Sequence, residues 1–294
     1  YIGGGTPSAL SNAQLSRLLA MLQPWIQQAK EITIEANADS FDQAKIAICK
    51  EYGVNRVSLG AQSFDPVLLQ RMGRIADEAM IRSCIDHLHQ MGIHQISLDL
   101  IYGLPDQTMA QWVRDLRKAC ALPITHLSLY ALTIEEHSRF GREHVAPCEA
   151  ELEADFYEAA LKLCKENGFE HYEISSFAKD HCYSMHNLAY WHYDDFIGIG
   201  CGASGKEDHR RYDNTRNLHT YITQGPTPEI ISLSKEDEMF ETMMMGLRLK
   251  TGVDDRQFQS RYGCSYHEAF NTAIQKHLAL GNLKENKPFL HTTK

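Results

Sequence analysis

The sequence predicts an α/β fold, in which a parallel sheet alternates with helices and precedes a small, mostly helical domain. Segments typical of strands occupy residues 32–35, 57–59, 96–101 and 126–132. Between them, stretches such as DQAKIAICKEYG and MAQWVRDLRKACAL place apolar residues at helical spacing. Because a strand recurs about every 25–40 residues, these segments indicate βαβ units around a parallel sheet.

The first element is the decamer YIGGGTPSAL, where a very short strand, Tyr1 and Ile2, precedes three glycines. Glycines allow backbone angles closed to other residues and let a ligand approach the main chain. Pro7 favours a turn or a first helical turn, and Ser8 is expected to cap the helix that follows. The decamer therefore predicts a ligand-binding turn between a strand and a helix, with a glycine-rich tail as the alternative.

The elements that follow carry their own boundary signals. Gly53 and Gly92 fit the ends of two amphipathic helices. Near the end of the chain, SKEDEMFETMMMG predicts a helix that Ser234 begins. We therefore divide the chain into a partial barrel at 1–176, a connecting segment at 177–225 and a helical domain at 226–294, which is expected to be truncated.

Composition narrows the classes of function. The 294 residues carry a formal charge of −9, which argues against a broad nucleic-acid surface. No apolar run approaches the roughly 20 residues that a membrane-spanning helix needs. The eight cysteines are scattered, and no two of them form a C-x₂-C pair. Scattered thiols are typical of a reduced, cytoplasmic protein.

Polar residues stand where consecutive predicted strands end. The segments ITIEAN, SLGAQSF and SLDLIYGLP place Glu35, Gln62, Asp99 and Tyr102 at such ends. Parallel α/β proteins bind ligands at the carboxyl ends of their strands. Each residue alone has an ordinary structural explanation, such as a cap or a surface hydrogen bond, but the set favours one binding site.

The segments GGGTPS, IEAN, VSLGAQSF with GRI after it, and DLIYGLPDQT resemble one family over essentially the whole chain. They are similar to the radical S-adenosylmethionine (radical SAM) enzymes related to oxygen-independent coproporphyrinogen III oxidase, and closest to the HemW branch, regarded as haem chaperones. The resemblance implies an incomplete (β/α)₆ partial barrel.

The resemblance also implies a binding site for S-adenosylmethionine. The backbone of Gly4, Gly5 and Thr6 would meet the amino group of the cofactor, and Glu35 would hold its ribose. The remaining implied contacts are Gln62, Arg74, Asp99 and Ala131. The residue types suit this chemistry, because a carboxylate accepts from ribose hydroxyls and an arginine pairs with a carboxylate.

A [4Fe–4S] cluster is the second cofactor that the resemblance implies. In this superfamily a CxxxCxxC motif supplies three thiolates to the cluster. None of the eight cysteines here has that spacing. The cluster cysteines are therefore expected upstream of Tyr1, together with the first βα unit, so that no metal ligand is assigned within this chain. A homologue without a cluster is the alternative.

The second half of the chain carries the sequence HNLAYW at residues 186–191. HNxxYW is characteristic of the HemW branch, where it is associated with haem, so the resemblance implies haem contacts at His186, Asn187, Tyr190 and Trp191. A histidine can ligate haem iron and aromatic rings can stack on a porphyrin. The alternative is a buried aromatic corner.

One position departs from the pattern of the branch. Relatives commonly read GxGxGAHG where this chain reads GIGCGASG, so Ser204 replaces a histidine and no role of that histidine is carried over. We interpret Gly198, Gly200 and Gly202 as tight turns, because no βαβ unit flanks them as a dinucleotide site requires.

The sequence thus predicts a haem chaperone that binds S-adenosylmethionine, a [4Fe–4S] cluster and haem, and delivers haem to acceptor proteins in the cytoplasm without a transmembrane segment. It leaves open whether the protein is an enzyme. The first alternative is a coproporphyrinogen III oxidase that decarboxylates propionate side chains. A radical enzyme that modifies RNA is disfavoured by the acidic charge.

Overall fold

The chain folds into two units, which the computed structural model describes over residues 1–293. The first unit contains residues 1–171 and 175–183, and the second contains residues 172–174 and the chain from residue 184 onward.

The elements of the first part of the chain alternate as predicted, after a short 3₁₀ helix at Pro7–Ala9. Helices α1 to α7 span, in order, Asn12–Ile26, Gln43–Glu51, Pro66–Arg71, Glu78–Gln90, Met109–Cys120, Arg139–Arg142 and Ala150–Glu166. Strands β1 to β6 span Thr33–Asn37, Arg56–Gln62, Gln95–Tyr102, His126–Ala131, Glu170–Glu173 and Ser176–Ala178.

These strands form one sheet in the order β1-β2-β3-β4-β6-β5. Strands β1 to β4 are parallel, and β6 pairs antiparallel with β4. The very short first strand is present as a parallel bridge in which Ile2 N–H donates to Thr33 O at 2.8 Å and Ile2 O accepts from Glu35 N–H at 2.9 Å. The four predicted strands and the α/β class are confirmed.

Local capping explains where the helices begin and end. Asp42, Asp77 and Thr108 each accept a hydrogen bond from a backbone N–H in the first turn of α2, α4 and α5. Gly53 and Gly92 follow α2 and α4 with φ of +89° and +73°, as expected for helix ends.

The prediction that Ser8 caps the first helix is wrong. Ser8 lies inside the 3₁₀ turn, is fully buried, and accepts from Asn37 N–H at 3.1 Å. Ser11 caps α1 instead and forms a capping box with Gln14. The backbone hydrogen bonds of the 3₁₀ turn are completed within the turn, before α1 begins. Helix α1 therefore starts after the turn, and Ser11 rather than Ser8 is its N-cap.

One face of the sheet is apolar and packs against the helices. Alternate strand residues, among them Ile34, Val57, Leu98 and Leu127, are fully buried on this face. Trp112 of α5 is also fully buried, and its indole N–H donates to Phe156 O at 2.8 Å. Truncation of such a side chain typically costs ~3–5 kcal/mol, so this layer holds the unit together.

The second unit has its own core, in which Phe258, Tyr262 and Tyr266 pack together. Helices α8 to α12 span Met185–Trp191, Leu218–Gln224, Lys235–Gly246, Asp255–Tyr262 and Tyr266–Ala279. Strands β7 to β12 span Ser204–Glu207, Arg210–Asp213, Glu229–Ser232, Val253–Asp254, Leu283–Asn286 and Phe289–Thr292. They form two three-stranded sheets, β7-β8-β9 and β10-β12-β11, which the sequence analysis did not predict.

The helix predicted at SKEDEMFETMMMG is α10, and Ser234 begins it with a capping box to Asp237. Within residues 1–293, no helix has the length and apolar character that crossing a membrane requires.

Candidate functional site

The glycine turn lies against the end of β1. Tyr1 donates its hydroxyl to Glu35 Oε1 at 2.7 Å. A Cβ on Gly3 would sit 2.7 Å from both the Glu35 carboxyl carbon and the Tyr1 ring, so only glycine permits this approach. Burial and this hydrogen bond raise the pKa of the Tyr1 hydroxyl. Gly4 has φ of +81°, and a Cβ on Gly4 or Gly5 would meet no atom within 4 Å. These two residues and Thr6 are exposed.

Gln62 ends β2 in an uncommon conformation. The pairing of β2 with β3 shifts register between Gly60 and Gln62, and Gln62 has φ of +67°. Non-glycine residues with positive φ are uncommon and concentrate at functional sites. A Cβ on Gly60 would lie 2.8 Å from Gln62 Nε2 and 2.9 Å from Asn37 Oδ1. The side-chain amides of Gln62 and Asn37 therefore both lie close to Gly60, at the carboxyl ends of β1 and β2.

Asp99 stands beside Gly60 in the register of β2 and β3. Three serines from three strands bond to its carboxylate: Ser58 Oγ donates at 2.8 Å, Ser97 Oγ at 3.2 Å, and Ser128 also donates. Burial raises the pKa of Asp99 to about 6, the serine hydroxyls oppose the shift, and the charge of Glu35 adds to it. Asp99 is therefore a carboxylate that changes charge close to neutral pH.

Below Asp99 the same sheet face stays polar, a feature that the sequence analysis missed. Ser97 Oγ lies 2.8 Å from His126 Nδ1. Arg56 is only 1% exposed, and its Nη1 donates to Cys182 O at 3.1 Å. Burial and the nearby Arg56 charge lower the pKa of His126 well below its usual value. The signal was present in the sequence, because polar residues alternate with apolar ones along β1 to β4.

The structure brings Glu35, Gln62 and Asp99 together with the glycine turn. Ala131 ends β4 opposite Tyr102 of β3 and is half-buried. Arg74 lies in the loop that follows α3 and is exposed. Among the ion pairs formed within residues 1–293, none includes Arg74.

The HNLAYW sequence forms α8. Ser184 caps it by accepting from Asn187 N–H at 3.3 Å. His186 and Tyr190 lie one turn apart and pack edge to face at 4.7 Å between ring centroids, and Tyr190 packs against Phe196 at 4.5 Å. All six residues of the motif are at least partly exposed.

Trp191 is held by a different neighbour. The Arg248 guanidinium lies 4.4 Å from the centre of its ring, a cation–π contact. Trp191 Nε1 and Arg248 Nε are both buried atoms without a hydrogen-bond partner within residues 1–293. A buried donor without an acceptor is costly, and a ligand oxygen or a water at each of these atoms would remove that cost.

The segment GIGCGASG forms a tight turn, which agrees with its interpretation. A Cβ on Gly198 would lie 2.0 Å from Ser204 O, so glycine is required there. Ser204 begins β7, and its hydroxyl donates to Asp213 Oδ1 across the pair with β8. Among residues 1–293, no three His, Cys, Asp or Glu side chains converge as a metal site.

Comparisons with known proteins identify the family. The radical SAM superfamily matches residues 1–119, and the HemN C-terminal domain matches residues 233–294. The heme chaperone HemW of Lactococcus lactis subsp. lactis is 36% identical over 100% of this chain and 80% of that protein. HemW of Bacillus subtilis is 33% identical over 100% of this chain and 80% of that protein. HemW of Escherichia coli is 35% identical over 97% of this chain and 77% of that protein.

A solved structure supports the fold. Coproporphyrinogen III oxidase (HemN) from Escherichia coli, a radical SAM enzyme, matches 99% of this chain and 73% of that chain with a TM-score of 0.84. Because the two sequences are only 20% identical, this match is evidence for a shared fold and not for a shared function. The resemblance and the fold class predicted from the sequence are therefore confirmed, and the chain belongs to the HemW family of radical SAM proteins.

Proposed function

We propose that the protein is a haem chaperone, which binds haem and passes it to haem-accepting proteins. The observation that supports this function best is the similarity to HemW proteins, described as heme chaperones, along 100% of the chain. The HNLAYW helix agrees with it, because His186, Asn187, Tyr190 and Trp191 supply one imidazole and two aromatic rings that a porphyrin needs.

We further propose that S-adenosylmethionine binds at the strand ends of the first unit. Two features of the glycine turn support this proposal: the space around Gly4 and Gly5 is open, and Gly3 lies against the carboxylate of Glu35. Backbone groups of Gly4, Gly5 and Thr6 would meet the amino group, and Glu35 would accept from ribose hydroxyls. Gln62, Asp99 and Ala131 would complete the site, and Arg74 would pair with the cofactor carboxylate through its fork of donors.

The cluster completes the proposed set of cofactors. A radical SAM domain implies a [4Fe–4S] cluster, which supplies electrons when bound. The CxxxCxxC motif is absent from these 294 residues, and we propose that its cysteines precede Tyr1. The eight cysteines of this chain are all free thiols, which fits a reducing compartment, and we propose the cytoplasm. The charge of −9 gives no support to a nucleic-acid partner.

The test uses the intact protein, including whatever its reading frame encodes before Tyr1. It should bind haem and, with S-adenosylmethionine and a reductant under anaerobic conditions, leave coproporphyrinogen III unchanged. His186→Ala should shift the Soret band if its imidazole ligates the iron. The exposed histidine His219 offers a matched control, since His219→Ala should leave the spectrum unchanged. Conversion of coproporphyrinogen III would support the oxidase instead, and a folded protein that does not bind haem would contradict the chaperone function.

A further inference from the structure

A cavity of about 410 Å³ in the second unit contains none of the residues assigned above to haem or to S-adenosylmethionine. Its floor is the β7-β8-β9 sheet, where Tyr212 of β8 stands opposite Ile230 of β9. Its walls include Ile199, Tyr221 and Pro226. The volume and the mainly apolar lining are those of a small-molecule site.

The cavity is held in shape by hydrogen bonds. Tyr212 accepts from Gly198 N–H at 3.0 Å, and its ring covers Gly205, where a Cβ would come within 2.1 Å of the ring. Asn214 Nδ2 donates to Gly198 O at 3.3 Å and to Gly200 O at 3.0 Å. These contacts fix the loop that carries Ile199, so the cavity is largely formed before any ligand arrives.

Aliphatic side chains around this cavity are unusually exposed. Ile199 and Ile230, which line it, are 74% and 56% exposed, and the neighbouring Ile197 and Ile222 are 71% and 72% exposed. Single exposed aliphatic residues are ordinary, but two in the lining of one cavity and two more close to lining residues in the sequence indicate a surface that binds an apolar partner.

The only positively charged residue in the lining is Arg210. No ion pair within residues 1–293 involves its guanidinium, which leaves its donors available to a ligand. Arginine presents a planar fork that matches a carboxylate. Glu207 stands directly opposite Arg210 in the β7–β8 pair and lines the same cavity, so it would repel an anionic ligand.

We propose that this cavity is a second porphyrin contact site, in which the apolar ring lies against Tyr212, Ile199 and Ile230 and a propionate pairs with Arg210. The identity of the ligand rests on the proposed haem-chaperone function. A flat apolar ring system with carboxylates at one edge satisfies both the walls and the single unpaired cation. The cavity residues also follow the HNLAYW segment closely in the sequence. Phe196 connects the two, because it contacts the Tyr190 ring and forms a β-bridge with Lys206 of β7.

Because no iron ligand is assigned in this cavity, a metal-free porphyrin removes the contribution of iron ligation by His186, and variants of the cavity lining then distinguish the cavity from the HNLAYW segment. We would titrate the intact protein with protoporphyrin IX and follow quenching of tryptophan fluorescence. Arg210→Ala should weaken binding about 10- to 100-fold, the usual loss for a charged hydrogen bond. Ile199→Asp should weaken it further by placing a charge against the apolar ring, and Glu207→Gln should strengthen it by removing a negative charge opposite Arg210.

Two matched variants control for nonspecific effects. Arg216→Ala removes an exposed arginine outside the lining, and Leu280→Asp introduces the same charge at a comparably exposed leucine outside both the lining and the group of exposed isoleucines. Both should bind protoporphyrin IX like the unmodified protein, with unchanged circular dichroism.

The outcomes distinguish this proposal from the proposed function. If haem and protoporphyrin IX bind but the Arg210 and Ile199 variants equal their controls, the second site is wrong and the chaperone function stands. If the unmodified protein binds neither compound, both proposals are wrong. Porphyrin binding that only His186→Ala weakens would also contradict the second site.

Discussion

At the scale of single residues, Asp99 joins the strand ends to the polar face of the sheet. Hydroxyls of Ser58, Ser97 and Ser128 hold its carboxylate, while burial raises its pKa to about 6. A carboxylate placed where ionisation is unfavourable reduces stability, and such groups are typical of sites that function rather than of sites that only fold. We therefore expect Asp99 to be a source of instability in the protein without ligand.

The pH dependence of the free energy of unfolding should reveal how much the buried Asp99 carboxylate reduces stability. The Asp99 pKa is about 6 in the folded protein and ~3.9 in an unfolded chain. Between these values the folded state binds more protons, so this group makes stability fall as pH rises from about 4 to about 6 and then level off. Asp99→Asn should therefore gain stability over the unmodified protein across that interval, up to about 3 kcal/mol at neutral pH.

Urea unfolding of both proteins at several pH values measures this difference. Asp155→Asn changes an exposed aspartate of α7 and serves as the control, which should show no such trend. A stability difference for Asp99→Asn that does not change with pH would show that this carboxylate titrates normally.

The proposed cofactor contacts predict unequal losses of affinity. Glu35→Ala should weaken binding of S-adenosylmethionine by ~1.5–3 kcal/mol, the range for hydrogen bonds to a charged group. Gln62→Ala removes a neutral amide and should cost less, ~0.5–1.5 kcal/mol. Isothermal titration calorimetry of the folded intact protein measures both losses, with Glu51→Ala on the exposed surface of α2 as the control. Unchanged affinity in both variants would contradict the proposed site.

At the scale of elements, the strand ends depend on glycines that make room for side chains. Gly60 lies under the amides of Gln62 and Asn37, and its Cβ would come within 3 Å of both. Because the crowded atoms are the far ends of side chains, the strand itself should tolerate the added methyl group while the amides move.

Gly60→Ala should therefore act through Gln62. We expect it to weaken binding of S-adenosylmethionine about as much as Gln62→Ala, and the double variant to be little worse than either single one, since neighbouring residues are not additive. Calorimetry on the four proteins of this cycle gives the coupling. Losses that simply add would mean that Gly60 and Gln62 act independently.

The elements also show what the sequence could predict. Strands β1 to β4 and helices α2 to α5 were found because periodicity and caps agree there. The β7–β9 sheet was missed, since its strands SGKE and RRYD lack apolar alternation. Its first hairpin turns at Asp208 and His209, both with positive φ, in place of the usual Asn-Gly or Asp-Gly. Glu35, Gln62 and Asp99 were predicted from strand ends, whereas the polar face around His126 required the pairing register.

At the scale of the whole molecule, the two proposed ligand sites belong to different units. Residues proposed for S-adenosylmethionine lie in the first unit and the HNLAYW helix in the second, and each unit has its own core. A side-chain truncation at one site therefore leaves the other unit's core intact.

Because the two proposed sites belong to different units, we expect a substitution at one site to weaken the binding of one ligand only. Tyr190→Ala should weaken haem binding while the affinity for S-adenosylmethionine stays within about twofold, because the two proposed sites belong to units with separate cores. Glu35→Ala should show the reverse pattern. Measurement of both affinities in both variants, with circular dichroism to verify folding, provides the test. A large loss of both ligands from either single change would demonstrate energetic coupling between the units.

The contact between Arg248 and Trp191 has an optical consequence. The chain has three tryptophans in three environments: Trp25 is 66% exposed, Trp112 is fully buried, and Trp191 lies under the Arg248 guanidinium in the HNLAYW helix. Replacing Trp25 with phenylalanine removes the solvent-exposed emitter, and comparison with a variant that also carries Trp191→Phe isolates the emission of Trp191 from that of Trp112. If haem binds as proposed, the remaining change in emission on adding haem would come from Trp191, and this side chain would then serve as a built-in spectroscopic reporter of haem binding.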